Sequence, residues 1–177
     1  MRVIAGEFRS RRLKSIRGAR TRPTPDRLRE TLFDILGDRV EGSEFVDAYA
    51  GTGAVGIEAL SRGAAHAYFL ERNRAALDAI RQNLASLGLE SRATVLPGGA
   101  LANLTRHASS IVFLDPPYDL EREYSDALAA LGQAPPMLTV VQHSARLALA
   151  ESYGRLRRSR LVRQGDNALS FYLEQSA

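Results

Sequence analysis

The sequence has no cysteine among its 177 residues, which excludes a disulfide framework, a thiolate zinc centre and a cysteine nucleophile together. Histidine is scarce as well. His66, His107 and His143 stand too far apart for a His-rich metal motif, and each reads as ordinary structure, with His143 at the end of a strand. No apolar run approaches the roughly 18 residues that span a bilayer, and the opening MRVIAGEFRSRRLKS has no apolar stretch behind its charges. A cytoplasmic location is the expectation. Lysine is almost missing: 23 of the 24 cations are arginine, a side chain that grips phosphate bidentately and stacks on bases where lysine does not.

What is present suffices for one self-standing domain. Hydrophobic residues make up 45% of the chain, and a chain near 150 residues buries about 68–70% of its unfolded surface. The net charge of +4 is unevenly spread. Residues 1–22 carry eight cations and the single acid Glu7, a balance of +7, whereas residues 23–177 carry 16 cations and 19 acids, a balance of −3. Residues 1–24 therefore read as a basic arm ahead of a domain over 25–177, with Arg9, Arg11, Arg12, Lys14 and Arg22 as candidates for phosphate backbone capture. Phe8 among the arginines points to an ordered element. A second basic stretch, Arg155 to Arg163, reads as the solvated face of a strand.

From residue 44 the chain alternates short β-branched or aromatic runs with helical stretches, the pattern of a parallel sheet covered on both faces. Strands are expected at 45–49, 67–71, 93–97, 110–115 and 137–143, and helices at 54–62, 74–87 and 120–131. Gly165-Asp166-Asn167 between two strand-like runs reads as a C-terminal antiparallel hairpin. Thr24 and Pro25 ahead of RLRETLFDIL supply a cap and an early proline for a first helix.

Two loops carry chemistry. Strand FVDAY runs into Gly51-Thr52-Gly53-Ala54-Val55-Gly56 and then a helix, so G-x-G-x-x-G stands in the setting that gives it meaning. A dinucleotide and S-adenosylmethionine compete for such a loop. Asp47 decides for the second, because a carboxylate there repels a pyrophosphate but accepts from a cationic amine, directly or through water. Glu71 closes the next strand, where an acid accepts both ribose hydroxyls of either ligand. The second loop is Asp115-Pro116-Pro117-Tyr118, at the carboxyl end of a strand. The prolines stiffen the backbone, so that the Asp115 side chain and the Pro116 carbonyl present neighbouring acceptors to an exocyclic amine while Tyr118 stacks on an extruded base. No general base titrating near neutrality is evident.

With these motifs in view, the chain resembles a class I S-adenosylmethionine-dependent methyltransferase, and more closely the RsmD family of bacterial 16S ribosomal RNA guanine-N2 methyltransferases. The resemblance rests on VIAGEFRSRRL, TRPTPDRLRETLFDIL, FVDAYAGTGAVGIEALSRGA, YFLERNRAALDAIRQN and FLDPPYD, and runs over nearly the whole chain. It implies a Rossmann-like sheet of seven strands, mostly parallel with a C-terminal antiparallel hairpin and with helices on both faces. It implies that Asp47-Ala48, Gly51-Thr52-Gly53, Glu71-Arg72 and Gly99-Ala100, with Asp115, hold S-adenosylmethionine. It implies that Asp115 to Tyr118 surround the target amine. The arm would meet 16S rRNA, free or in a partly assembled small ribosomal subunit; no metal, membrane or oligomer is implied.

Two positions depart from the family pattern. Gly99 stands where relatives usually carry an acid that bonds the adenine amine, and Gln142 stands where an acid often ends its strand. The rival readings are adenine-N6 methylation of DNA or RNA, a nicotinamide oxidoreductase, and a non-catalytic RNA-binding module.

Overall fold

The computed structural model describes residues 1–16, 24–107 and 110–175. Five strands run parallel: β1 (Glu44–Ala48), β2 (His66–Glu71), β3 (Ala93–Pro97), β4 (Ile111–Leu114) and β5 (Leu138–Ser144). Three more, β6 (Ser152–Tyr153), β7 (Leu156–Gln164) and β8 (Asn167–Glu174), continue the sheet antiparallel through β8 against β5. The order across the sheet is β3-β2-β1-β4-β5-β8-β7-β6. This is the expected Rossmann-like architecture, with eight strands rather than seven; the addition is β6, whose two residues are too few for alternation to reveal.

Helices α1 (Asp26–Leu36), α2 (Ala54–Ser61), α3 (Arg74–Leu87), α4 (Ala100–Leu104) and α5 (Glu121–Gln133) cover the two faces. Leu32 and Phe33 of α1, Ile57 of α2 and Ile80 of α3 pack on Phe45, Phe69 and Phe113. On the other face Leu104 of α4 and Tyr124, Leu128 and Leu131 of α5 pack on Val46, Val112, Leu114 and Val141. The two-residue period of each strand divides its side chains between these layers. α3 keeps the bounds expected of it: Leu77, Ile80, Leu84 and Leu87 are buried and Gly88 ends the helix with φ 67°, while the structure adds a cap, the Asn73 side chain accepting from the Ala76 N–H at 3.1 Å.

Thr24 does not cap α1. Pro25 occupies that position without a side-chain bond, and the Thr24 hydroxyl turns instead to Asp115. The N-terminal segment folds back on itself through a bridge between Arg2 and Arg12. Val3 and Leu13 are buried in the core. Its Ile4 and Ala5 N–H groups donate to the buried Glu58 carboxylate at 2.8 and 3.0 Å, which Arg62 also meets at 2.8 Å. The half-buried Phe8 packs against the same core, in keeping with its setting among arginines. Among the described residues no helix is long and apolar enough to cross a membrane.

Candidate active site

The strand order reverses between β1 and β4: from β1 the chain builds outward to β3, then crosses back to build β4 and β5 on the other side. Such a switch point opens a crevice at the carboxyl ends of the strands. A cleft of about 800 Å³ lies there, lined from both sides of the switch by Asp47, Glu71, Asp115 and Gln142 among others, within the size range of small-molecule sites.

On the β1 side the loop after the strand is held open by left-handed backbone at Tyr49 (φ 63°), Gly51 (φ 57°) and Gly53 (φ 80°). A side chain is uncommon there, so Tyr49 marks local strain of the kind found at ligand sites. Gly51 faces open space, with nothing within 4 Å of the place a Cβ would take, whereas a Cβ at Gly56 would meet Phe69 at 2.4 Å. The first glycine leaves room beside the loop; the last is demanded by helix–sheet packing. Asp47 is buried and accepts from the Gly56 N–H at 2.8 Å. Burial raises its pKa well above the ordinary carboxylate range, and the charges of Asp115 and Glu71 push the same way.

Glu71 holds three backbone groups, accepting from Gly51 on one oxygen and from Arg72 and Asn73 on the other, each at 2.8 Å. A carboxylate has about four acceptor positions, so one is left toward the cleft. Thr52, Arg72, Gly99 and Ala100 also reach the wall; Ala48 and Gly53 do not. Ala48 faces the opposite layer, and Gly53 serves as the left-handed residue that starts α2. Among the described residues Asp47, Glu71, Asp115, Asp119 and Glu123 line the cleft against one cationic side chain, Arg72. That balance fits a positively charged donor such as S-adenosylmethionine and opposes a pyrophosphate.

Across the switch, β4 delivers Asp115 into the cleft. Burial lifts its pKa from the ordinary value to about 7, against the Thr24 hydroxyl, which donates at 3.4 Å and lowers it. A group titrating near neutrality therefore exists, contrary to the reading from sequence: an acid's position in the chain does not reveal how little water its carboxyl will have. The Pro116 carbonyl is oriented by a donor that the sequence does not disclose, the hydroxyl of the fully buried Tyr124 at 2.8 Å. One lone pair of that carbonyl is thereby used, and the other remains. Pro117 continues the rigid wall. Tyr118 keeps 38% of its surface exposed while its hydroxyl donates to Asn167 Oδ1 at 2.7 Å. The hydroxyl bond thus anchors a ring that is partly exposed.

Comparison with known proteins bears on this geometry. The family described as conserved hypothetical protein 95 matches residues 1–173. An rRNA methyltransferase of Bacillus subtilis, YlbH, is 35% identical over 97% of this chain and 98% of its own length. The ribosomal RNA small subunit methyltransferase D of Escherichia coli K12 is 40% identical over 67% of this chain and 60% of its own length. The chain belongs to the RsmD methyltransferase family. A solved methyltransferase from Escherichia coli superposes on this RsmD-family chain with a TM-score of 0.85 at 32% identity, covering 100% of this chain and 99% of the other.

In this RsmD-family protein the arm residues divide. Arg9, Arg11, Arg12 and Lys14 are all exposed, but Arg11 donates to the Ser86 carbonyl at 3.2 Å and Lys14 to Gln82 Oε1 at 2.7 Å. Arg22 lies outside the described residues. Ser15 and Ile16 bring the arm to the rim of the cleft. The histidines are structural: His66 bonds Thr94 Oγ1, His107 stacks on Tyr68, and the buried His143 bonds Ser170 Oγ. Arg155, just before β7, and Arg158 on it pair with Glu174 and Glu151, and Arg157, Arg160 and Arg163 are exposed, the solvated face expected of this stretch. Thr24 belongs to the stretch that the family resemblance sets beside the cofactor, and it lines the cleft; Tyr49, Tyr124 and Asn167 join the site although the sequence does not single them out for it. Only Tyr49 carries a local signal, an aromatic residue directly before the glycine loop.

Proposed function

We propose that the chain transfers a methyl group from S-adenosylmethionine to the exocyclic N2 of a guanine in 16S ribosomal RNA, a partly assembled small subunit being one form of the substrate. The observation that carries this reading is the acceptor set at the end of β4. The Asp115 carboxyl and the Pro116 carbonyl stand together on the wall of an acid-lined cleft, beside the exposed and anchored ring of Tyr118.

S-adenosylmethionine, when bound, supplies an electrophilic methyl group: as the new C–N bond forms the C–S bond breaks, its electrons remain on sulfur, and S-adenosylhomocysteine is released. Asp47, Glu71 and the backbone beside Gly51 would hold it. Asp115 and the Pro116 carbonyl accept the two N–H bonds of the target amine, aiming its lone pair and stabilising the positive charge that grows on nitrogen. The proton leaves nitrogen after or during bond formation and passes to ionised Asp115 or to water. Tyr118 stacks on the flipped base. Thr24 and Tyr124 are positioning residues acting through Asp115 and Pro116. Holding nucleophile and methyl group in line at roughly 3–3.5 Å supplies on the order of 7–11 kcal/mol of the barrier.

The test is mass-spectrometric mapping of methylated nucleotides in ribosomal RNA from cells with and without the gene. Loss of one N2-methylguanine from 16S rRNA is expected. An unchanged map overturns the reading, and loss of an N6-methyladenine instead moves the activity to adenine, since the acceptor pair recognises an amine rather than the ring that bears it.

A further inference from the structure

Gln142 is 3% exposed, lines the cleft, and its buried Oε1 has no hydrogen-bond partner. A buried amide oxygen without a partner is costly in a protein interior, and the side chain that carries it is part of the cleft wall. The sheet register puts it beside the acceptor motif. Leu114 of β4 pairs with Val141 of β5, so Asp115 and Gln142 are the next residues on adjacent strands, about 4.8 Å apart in the sheet. By the same alternation they share a face with Phe113 and Val140 rather than with the layer of α5.

We propose that the Gln142 carboxamide reads the Watson–Crick edge of the target base and selects guanine over other purines that carry an exocyclic amine. This rests on the guanine-N2 reading above and deepens it. On guanine the amine is followed along the same edge by N1–H, a donor, and O6, an acceptor. An amide placed next to the amine site satisfies both at once, Oε1 accepting from N1–H and Nε2 donating to O6. Rotation about the last side-chain bond exchanges the two amide atoms, so their order can adjust to that of N1–H and O6. On adenine the atom next to the amine is an acceptor and no oxygen follows, so the amide makes one bond at most. A good bidentate contact of this kind discriminates roughly 10- to 100-fold.

The experiment compares kcat/KM on RNA carrying guanine at the mapped position with the same RNA carrying 2-aminopurine, which keeps the methyl-accepting 2-amine but lacks N1–H and O6. The wild-type chain is expected to prefer guanine. Gln142→Leu is expected to bring the guanine rate down roughly 10- to 100-fold, to the level of 2-aminopurine, erasing the preference. Gln142→Glu, which retains an acceptor for N1–H and loses the donor to O6, falls between. S-adenosylhomocysteine affinity is expected to stay at the wild-type value in both variants, whereas the thermal midpoint is expected to rise in Gln142→Leu, which removes the unpartnered oxygen, and to fall in Gln142→Glu, which buries a second carboxyl beside Asp115. A guanine to 2-aminopurine ratio unchanged in Gln142→Leu overturns the assignment while leaving the enzymatic reading intact. Absence of methyl transfer to guanine by the wild-type chain overturns that reading and this one with it.

Discussion

Asp115 holds its proton to near neutrality because the cleft wall leaves its carboxyl little water, and two measurements follow. To accept from the amine and take its proton the group must be ionised, so methyl transfer is expected to rise with pH through an apparent pKa of about 7. Asp115→Asn should flatten that limb and lower turnover by roughly 10²–10³-fold with donor affinity nearly unchanged, the size of effect seen when one transition-state partner is removed; a pH–rate profile of both proteins decides it. The second concerns stability. A carboxyl with a pKa higher in the folded than in the unfolded chain binds its proton more tightly when folded, so raising the pH from about 4 to above 7 costs stability. Asp115→Asn never ionises. Its thermal midpoint is expected to exceed the wild-type value, and by more at about pH 8 than at about pH 5; an equal gain at both would mean that the buried charge is not the cause.

α4 is a helix of five residues that begins after Gly99 without a side-chain cap. Gly99 has ordinary φ and ψ of −65° and 140°, and no atom lies within 4 Å of where its Cβ would stand. Neither backbone strain nor packing demands glycine. Aspartate there would cap α4, worth about 1 kcal/mol, and would present a carboxylate at the cleft where the family pattern expects one. Gly99→Asp is therefore predicted to tighten S-adenosylmethionine binding several-fold, measured by calorimetry, and to raise the thermal midpoint.

α4 also shows where sequence reading stops. Its five residues are too few for a 3.6-residue period, whereas α3, with 14 residues and a terminal glycine, is legible from end to end. The strands β1 to β5 can be located within a residue or two because their cores are continuous apolar runs. Motifs contiguous in sequence, the glycine loop and Asp115 to Tyr118, announce themselves for the same reason. Tyr124 and Asn167 do not: they reach the motif from 8 and 49 residues away through single hydroxyl bonds, which leave no local pattern. Thr24 reads as a cap for the nearest helix because its true partner lies 91 residues on.

At the scale of the whole molecule, the N-terminal segment is built into the core yet keeps charge outside. Val3 and Leu13 are buried while Arg9 and Arg12 are exposed, so those two arginines can be neutralised without unpacking anything. Their double replacement by alanine is expected to weaken binding to 16S rRNA fragments and to flatten the slope of log K against log salt by roughly 0.7–0.9 for each phosphate that is no longer neutralised. Unchanged slopes would make them bystanders. Stability and donor binding should be unaffected, since neither side chain reaches the cleft wall.

Residues 44–104 supply the wall on one bank of the crevice and residues 111–174 most of the other, and within the sheet the two banks meet at β1 and β4, whose last bond runs from the Asp115 N–H to the Ala48 carbonyl at 3.4 Å. The gap between electrophile and nucleophile is then a ruler cut into main chain, not adjusted by any one side chain. Substitutions that merely loosen that seam, such as trimming Val46 or Val112 beneath it, would blunt turnover while each half went on gripping its own ligand. Damage of that kind would pass unnoticed in every binding assay.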